Sequence, residues 1–391
     1  MALELTQEQK DAGWLSGTLE EFLTLIIDHR GKTPKKLGGD WSESGHRVIS
    51  AINMKNSRVD GNDHHYVDDE IFAKWMKIPV AVGDVFLTSE APMGAVAYIS
   101  DHEATDWVVG QRIFALRADE KQLHGRYLYY LLQTNNMKEQ LESRSSGTTV
   151  MGIKQAELRK VELILQPVEE QKRIAEILGS VDDKIEANSR LLDSLSELAI
   201  AEVERLELFS EEPNSVLGDL ITFSPKVPKP DSDTYQFIDM SVLPTTGPIT
   251  GAISHKENWT GSKFEEGDTL FSRITPCLEN GKTAIAMGLG DKPGIGSTEF
   301  IVMRALEAGK ELLPYGIARN ERFREIAIQK MTGTSGRQRV KWQDLASTPV
   351  NATRVSGFQL GKAEFELMRS FREENILLAS IRNLLIRHLI G

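Results

Sequence analysis

The sequence predicts an α+β fold in which two similar globules alternate with two long helices. Three observations predict it. Apolar residues from Ile174 to Ala199 recur in alternating steps of four and three, the seam of a coiled coil. A second helical stretch, "KAEFELMRSFREENILLASIRNLLIRHLI" (362–390), has similar spacing. Three blocks ahead of the first helix return, in the same order, ahead of the second. With 391 residues and 40% hydrophobic content, the chain has material for two or three domains with true cores.

The first globule is expected over 1–166. Its strand candidates "KIPVAVGDVFLTS", "AVAYIS" and "VVGQRIFALRA" are bounded by Gly, Pro and Asp. "GRYLYYLLQTNNMKEQLE" reads as one helix. The central helix follows over 167–210. Pro167 suits a first helical turn because its missing N–H would be unpaired there. Glu169 and Glu170 then complement the helix dipole. The expected seam is Ile174, Leu178, Val181, Ile185, Asn188, Leu192 and Leu195. About 40 residues make a rod of roughly 60 Å. A polar residue in a seam, here Asn188, commonly fixes register at some cost in stability.

The second globule is expected over 211–350. "DTLFS" and "TEFIVMRA" read as strands and "LLPYGIARNERFREIAIQK" as one helix. The last helix belongs to 351–391, with Leu378, Ile381 and Leu385 as seam residues and Asn375 near its middle. The repeat runs through both globules. Gly83-Asp84 and Gly267-Asp268 lie 184 residues apart, Arg117 and Arg304 187 apart, and Lys154 and Lys341 also 187 apart. Three ordered blocks at a near-constant offset mark a duplicated unit of about 190 residues.

Charge and motifs narrow the function. The net charge of −11 argues against a nucleic-acid coat, which should be basic throughout, but not against local basic patches. The single cysteine, Cys277, excludes an intrachain disulfide and fits a reducing compartment. No signal-peptide pattern opens the sequence and no run approaches 18 apolar residues, so the expected location is cytoplasmic, away from membranes. Catalytic signatures are missing. "GLGDKPGIGST" has no phosphate-loop lysine, and His64 and His65 have no second cluster at metal-ligand spacing. Pro230-Asp231 lacks a nuclease-like Asp/Glu-x-Lys, and no Pro-Pro exists for an adenine methyltransferase motif. A non-catalytic chain without bound cofactor or metal is expected.

What remains points to recognition. Basic segments recur in both halves. The first supplies Arg30, Lys32, Thr33, Lys35 and Lys36, then Arg144, Ser146, Gly147, Thr148, Thr149 and Lys154. The second supplies Lys226, Lys229 and Arg273, then Thr334, Ser335, Arg337, Arg339 and Lys341. Cations, hydroxyls and glycine-rich backbone are what phosphate contact needs, and arginine also reads guanine edges.

"QPVEEQKRIAEILGSVDDKIEANSRLLDSL" resembles the central helix of the DNA-specificity subunits of type I restriction–modification systems: a Pro, an acidic-Gln-Lys-x-Ile-Ala-x-x-Leu run, then heptads. "DHRGKTP" resembles the entry of that family's first target-recognition domain, and "TPCLENGKTAIA", "GSTEF" and "GTSGRQRV" resemble motifs of its second. The last helix lacks the Pro-x-x-Glu-Gln opening found at 167–171. The resemblance implies two target-recognition domains, each reading half of a bipartite site in double-stranded DNA. It implies that the two helices pair antiparallel as a spacer. It also implies docking of two adenine-N6 methyltransferase subunits, which use S-adenosylmethionine, and two restriction/translocase subunits, which use ATP and Mg. Two other classes stay open on the residues alone: a recognition subunit of another modification or defence complex, and a coiled-coil scaffold without DNA.

Overall fold

The computed structural model describes residues 4–55, 57–59, 65–147, 150–209, 212–334 and 336–391. The chain divides into two units, 1–183 with 379–391, and 184–378.

In the first unit a four-stranded antiparallel sheet is built from β1 (Leu23–Asp28), β2 (Val85–Thr88), β3 (Val96–Tyr98) and β4 (Ile113–Ala118), in the order β1-β4-β2-β3. Strands β2 and β4 are buried on both faces, so they read as unbroken apolar runs rather than alternating ones. Successive side chains feed two different cores. Val85, Leu87, Phe114 and Leu116 pack with Tyr127, Leu128, Ile174 and Leu178. Phe86, Ile113 and Ala115 pack with Val48, Ile49, Trp75 and Val108. That second core lies under a smaller sheet in which His46–Ile49 runs parallel to Val108–Val109 and antiparallel to His65–Val67.

The second unit repeats this plan. Strands β5 (Ile221–Phe223), β6 (Thr269–Ser272), β7 (Thr283–Ile285) and β8 (Phe300–Ala305) take the order β5-β8-β6-β7. Its smaller sheet again contains one parallel pair, Tyr235–Ile238 with Gly294–Gly296. The matched sequence blocks therefore correspond to matched topology. They also share a buried ion pair. Arg117 grips Asp84 through Nε and Nη2 at 2.8 and 2.9 Å, and Arg304 grips Asp268 the same way at 2.6 and 2.7 Å. Both carboxylates are 1% exposed, and each also accepts a turn N–H, from Ala81 or Glu265.

Two helices expected as single pieces are each broken. The first splits into α1 (Gly125–Leu131) and α2 (Asn135–Ser143). Later in the chain the second splits into α4 (Leu313–Arg319) and α5 (Glu321–Gln329). The break falls where a capping residue takes extended backbone: Thr134 Oγ1 accepts from the Met137 N–H, and Asn320 Oδ1 from the Phe323 N–H. Such a side chain satisfies a donor that an uninterrupted helix would have bonded itself. Asn320→Ala should cost about 1 kcal/mol. The expected signature is a lower urea midpoint at unchanged slope; an unmoved midpoint would show that the cap contributes nothing.

The long helices are α3 (Val168–Leu206) and α6 (Lys362–Leu389). In the first unit Gln166 Nε2 donates to the Leu389 carbonyl at 2.9 Å, Arg382 Nη1 donates to Asp182 at 3.0 Å, and Ile386 joins the core of Ile174 and Leu178. In the second unit Asn188 Nδ2 donates to Glu374 at 2.7 Å and to Asn375 at 3.0 Å, and Asn375 Nδ2 donates to Ser189. Within each unit rising numbers on α3 meet falling numbers on α6, so the pairing is antiparallel. Ile174, Leu178, Asn188 and Leu192 are buried, and Val181, Ile185 and Leu195 are half-buried.

The expected seam of α6 needs correction. Ile381 is 37% exposed and Leu378 is half-buried, while half-buried Leu385 packs against the core of Ile174 and Leu178. The inward row is Phe365, Met368, Arg372, Asn375, Ala379, Arg382 and Ile386, one residue later and so about 100° round the helix. It keeps perfect steps of three and four, but three of its members are polar. Meanwhile Ile376, Leu377 and Leu384 face outward. Apolar periodicity therefore found Leu385 but missed the polar members of the row.

Candidate nucleic-acid interface

The site is built where the central strands end. After β2 the Ser89 N–H donates to the Arg112 carbonyl, and the Ser89 carbonyl accepts from the Ile153 N–H. The second unit repeats both bonds: the Arg273 N–H donates to the Glu299 carbonyl, and the Arg273 carbonyl accepts from the Val340 N–H. These bonds staple one loop per unit to its sheet. The loop of the first unit closes through a Ser146–Gly152 bridge and that of the second through Thr332–Arg339. Gly147 and Gly333 open the two loops with φ of 137° and 128°, a region that side chains rarely adopt. Val150 and Met151 of the first loop, and Thr334 and Arg337 of the second, are exposed.

The expected contact residues fall into two groups. Lys35, Ser146, Gly147, Lys154, Lys226, Lys229, Thr334, Arg337 and Lys341 are exposed. Lys154 and Lys341 head the equivalent short helices Gln155–Leu158 and Trp342–Ala346, and Lys229 Nζ lies 5.5 Å over the Tyr235 ring. The other group is occupied within the fold. Arg30 pairs with Asp28, stacks on Phe114 and donates to the Ile153 carbonyl, so it braces the first loop. Lys32 Nζ donates to the Trp75 carbonyl, and burial pulls its pKa down. Thr33 Oγ1 accepts from the Lys36 N–H, Lys36 Nζ donates to Gly31, and Arg144 donates to Lys160. Arg273 is half-buried at the strand end. Arg339 is held by Glu299 through contacts of 2.8 to 3.0 Å. Thr148, Thr149 and Ser335 lie outside the described residues.

Several residues here escaped sequence reasoning. Arg112 stands beside the first loop with its Nε 3.1 Å from Glu90, whose backbone bridges to Gly152. A cavity of about 270 Å³ adjoins it, lined among others by Lys32, Trp41, His65, Trp75 and Gln111. In the second unit Lys256 Nζ sits 3.4 Å over the Phe237 ring, and Trp259 packs on Tyr235 at 5.0 Å. The repeat offset alone could have found one of them: Arg112 and Glu299 are 187 residues apart, like Arg117 and Arg304. Next to Arg30 in the chain, the His29 imidazole is lowered to about 4, chiefly by burial and then by Lys32, so it carries no charge at neutral pH.

Residues 12–197 match the family model described as the type I restriction modification DNA specificity domain. This segment is similar to the DNA specificity domain of type I restriction–modification systems. The matched residues take in nearly all of the first globule and most of α3, and the second globule repeats the topology of the first. The MjaIX specificity subunit of Methanocaldococcus jannaschii is 33% identical over 118 residues, which are 30% of this chain and 26% of that protein. The putative MjaX specificity subunit of the same organism is 25% identical over 189 residues, 47% of this chain and 43% of that one. The matches thus span less than half the length of these curated relatives. The crystal structure of an S subunit from M. genitalium shares the fold across 100% of this chain and 99% of its own, with a TM-score of 0.53 and 14% identity.

Proposed function

We propose that this chain is a type I specificity subunit that reads a bipartite site in double-stranded DNA, one half-site per globule, and performs no chemistry itself. The observation that carries this reading is the repetition of one stapled, glycine-opened loop, followed by an exposed lysine (Lys154, Lys341), at the same place in two globules of one chain. Two copies of one reader suit two half-sites. Exposed lysines and arginines hold phosphates, and a few side chains on the loops read bases.

The acidic total then finds an explanation: partner subunits share the grip on DNA. We assign those partners as two adenine-N6 methyltransferase subunits, supplying S-adenosylmethionine chemistry, and two ATP- and Mg-dependent restriction/translocase subunits, all in the cytoplasm. Apolar side chains left outward on the long helices support docking there. On α3, Ile177, Leu191 and Leu198 recur at multiples of seven and so share a face. Among the described residues no helix is long and apolar enough to cross a membrane.

The test is a pull-down of the chain from its source cells, with partners identified by mass spectrometry and duplex binding measured against salt. The reading requires an adenine methyltransferase at about two copies per chain and an affinity that falls steeply with salt. A clean preparation with neither a DNA-modifying nor a DNA-cleaving enzyme would refute it.

A further inference from the structure

We propose that Arg339 reads a guanine in the second half-site with Glu299 as its positioning residue, and that Arg112 with Glu90 is the counterpart in the first. This assignment rests on the DNA-recognition reading above and names its chemistry.

Three positions are equivalent in the two units. The strand-end residue is Arg112 in the first unit and Glu299 in the second. The residue after the stapling Ser89 or Arg273 is Glu90 or Ile274. The loop-closing residue is Gly152 or Arg339, bridged to Glu90 or Ile274 respectively. Each unit thus places one arginine and one carboxylate on the same three positions, but distributes them differently. In the first, the loop position is a glycine and the strand end supplies the arginine. In the second, the loop supplies the arginine and the strand end the carboxylate. What the two units share is the pair, not the positions of its charges.

A role in stability explains this poorly. Arg112 and Arg339 have side chains 53% and 42% exposed, and exposed pairs contribute little to folding. A carboxylate beside bound DNA would also repel phosphates, so its presence needs a compensating use. The geometry supplies one. A guanidinium has five N–H groups. Arg339 spends Nε–H and one Nη2–H on Glu299, and one Nη1–H on the Arg337 carbonyl. Two N–H groups remain, one on each terminal nitrogen. That matches the two acceptors, O6 and N7, that guanine presents in the major groove. Glu299 fixes the plane of the fork in advance and holds the guanidinium above its ordinary pKa.

The experiment uses the intact complex and duplexes carrying its own site, taken from mapping its methylation. Each guanine is replaced singly by 7-deazaguanine, which removes N7 and keeps pairing. We expect one guanine in the second half-site whose replacement costs the wild-type complex about 10- to 100-fold in affinity. The Arg339→Ala complex should be indifferent to that replacement, while first half-site guanines behave as before. Arg112→Ala should show the converse. Glu299→Gln should reduce discrimination at the Arg339 guanine alone, and Glu299→Asp should restore part of it. Arg337→Ala, which removes an exposed loop cation, should weaken all duplexes alike and lower the salt slope by about one. If the wild-type complex tolerates 7-deazaguanine throughout the second half-site, or that half-site has no G·C pair, Arg339 does not read guanine. This result needs no variant to fold. If the wild-type complex shows no site preference at all, the DNA-recognition reading itself fails.

Discussion

Arg304→Ala should destabilise the second unit by about 3–5 kcal/mol, because it leaves a buried carboxylate without its partner. Asp268 is 1% exposed, and among the described residues Arg304 and the Glu265 N–H answer its charge. Burial already pushes its carboxyl above the usual range, with Arg304 and the Glu265 N–H pulling the other way. Removing Arg304 lets burial act with less opposition. The folded pKa then lies further above the unfolded one, so the charged folded form is penalised above the folded pKa and relieved as pH falls through it. The loss should therefore be larger near about pH 8 than near about pH 5. Urea unfolding at the two pH values measures this. A loss below about 1 kcal/mol at both would place the pair with ordinary surface ion pairs. Arg117→Ala should also destabilise the first unit, where Asp84 is as deeply buried and accepts the Ala81 N–H. Losing one half-site while the other persists would accompany a partial unfolding of this kind.

That ion pair also shows what could be read in advance. Gly83-Asp84, Gly267-Asp268, Arg117 and Arg304 were all visible as repeat landmarks. Their partnership was not, because it depends on strand register. Val85 faces Leu116 and Thr269 faces Met303, so the next residue along each strand brings aspartate opposite arginine. The seam of α3 was legible because its members are mostly apolar and regularly spaced. The seam of α6 was not, because Arg372, Asn375 and Arg382 face inward while apolar residues face out. Hydropathy cannot report a polar seam. Thr134 and Asn320 are residue types that cap helices, but they lie inside apolar patterns long enough to hide the breaks. On the loops, residue type alone grouped Arg337 with Arg339; the position of Glu299 separates an exposed cation from a braced one.

Deleting one heptad from each long helix together should shorten the preferred gap between half-sites by about three base pairs. Contacts locate the matching segments. Asp182 meets Arg382, and Asn188 meets Asn375, so residues 182–188 of α3 lie against about 376–382 of α6. Removing both stretches takes about 10 Å from the pair, equal to about three base-pair rises. Because the deletion is a whole heptad, both seams rejoin in phase, with a residual turn of about 20°. Removing 182–188 from α3 alone should instead abolish activity, since every contact beyond the cut would slip by two helical turns. The paired deletion also discards Asn188, a fully buried side chain that leaves its Oδ1 without a partner. Stability should therefore survive better than the length of the deletion suggests, since a buried polar seam residue favours register over stability. Mapping methylated sites in cells carrying the paired deletion decides the matter. A shortened gap with both half-site sequences intact makes the helices the ruler and the loops the readers. An unchanged gap would mean that something other than these helices sets the distance, and the spacer role would have to be given up.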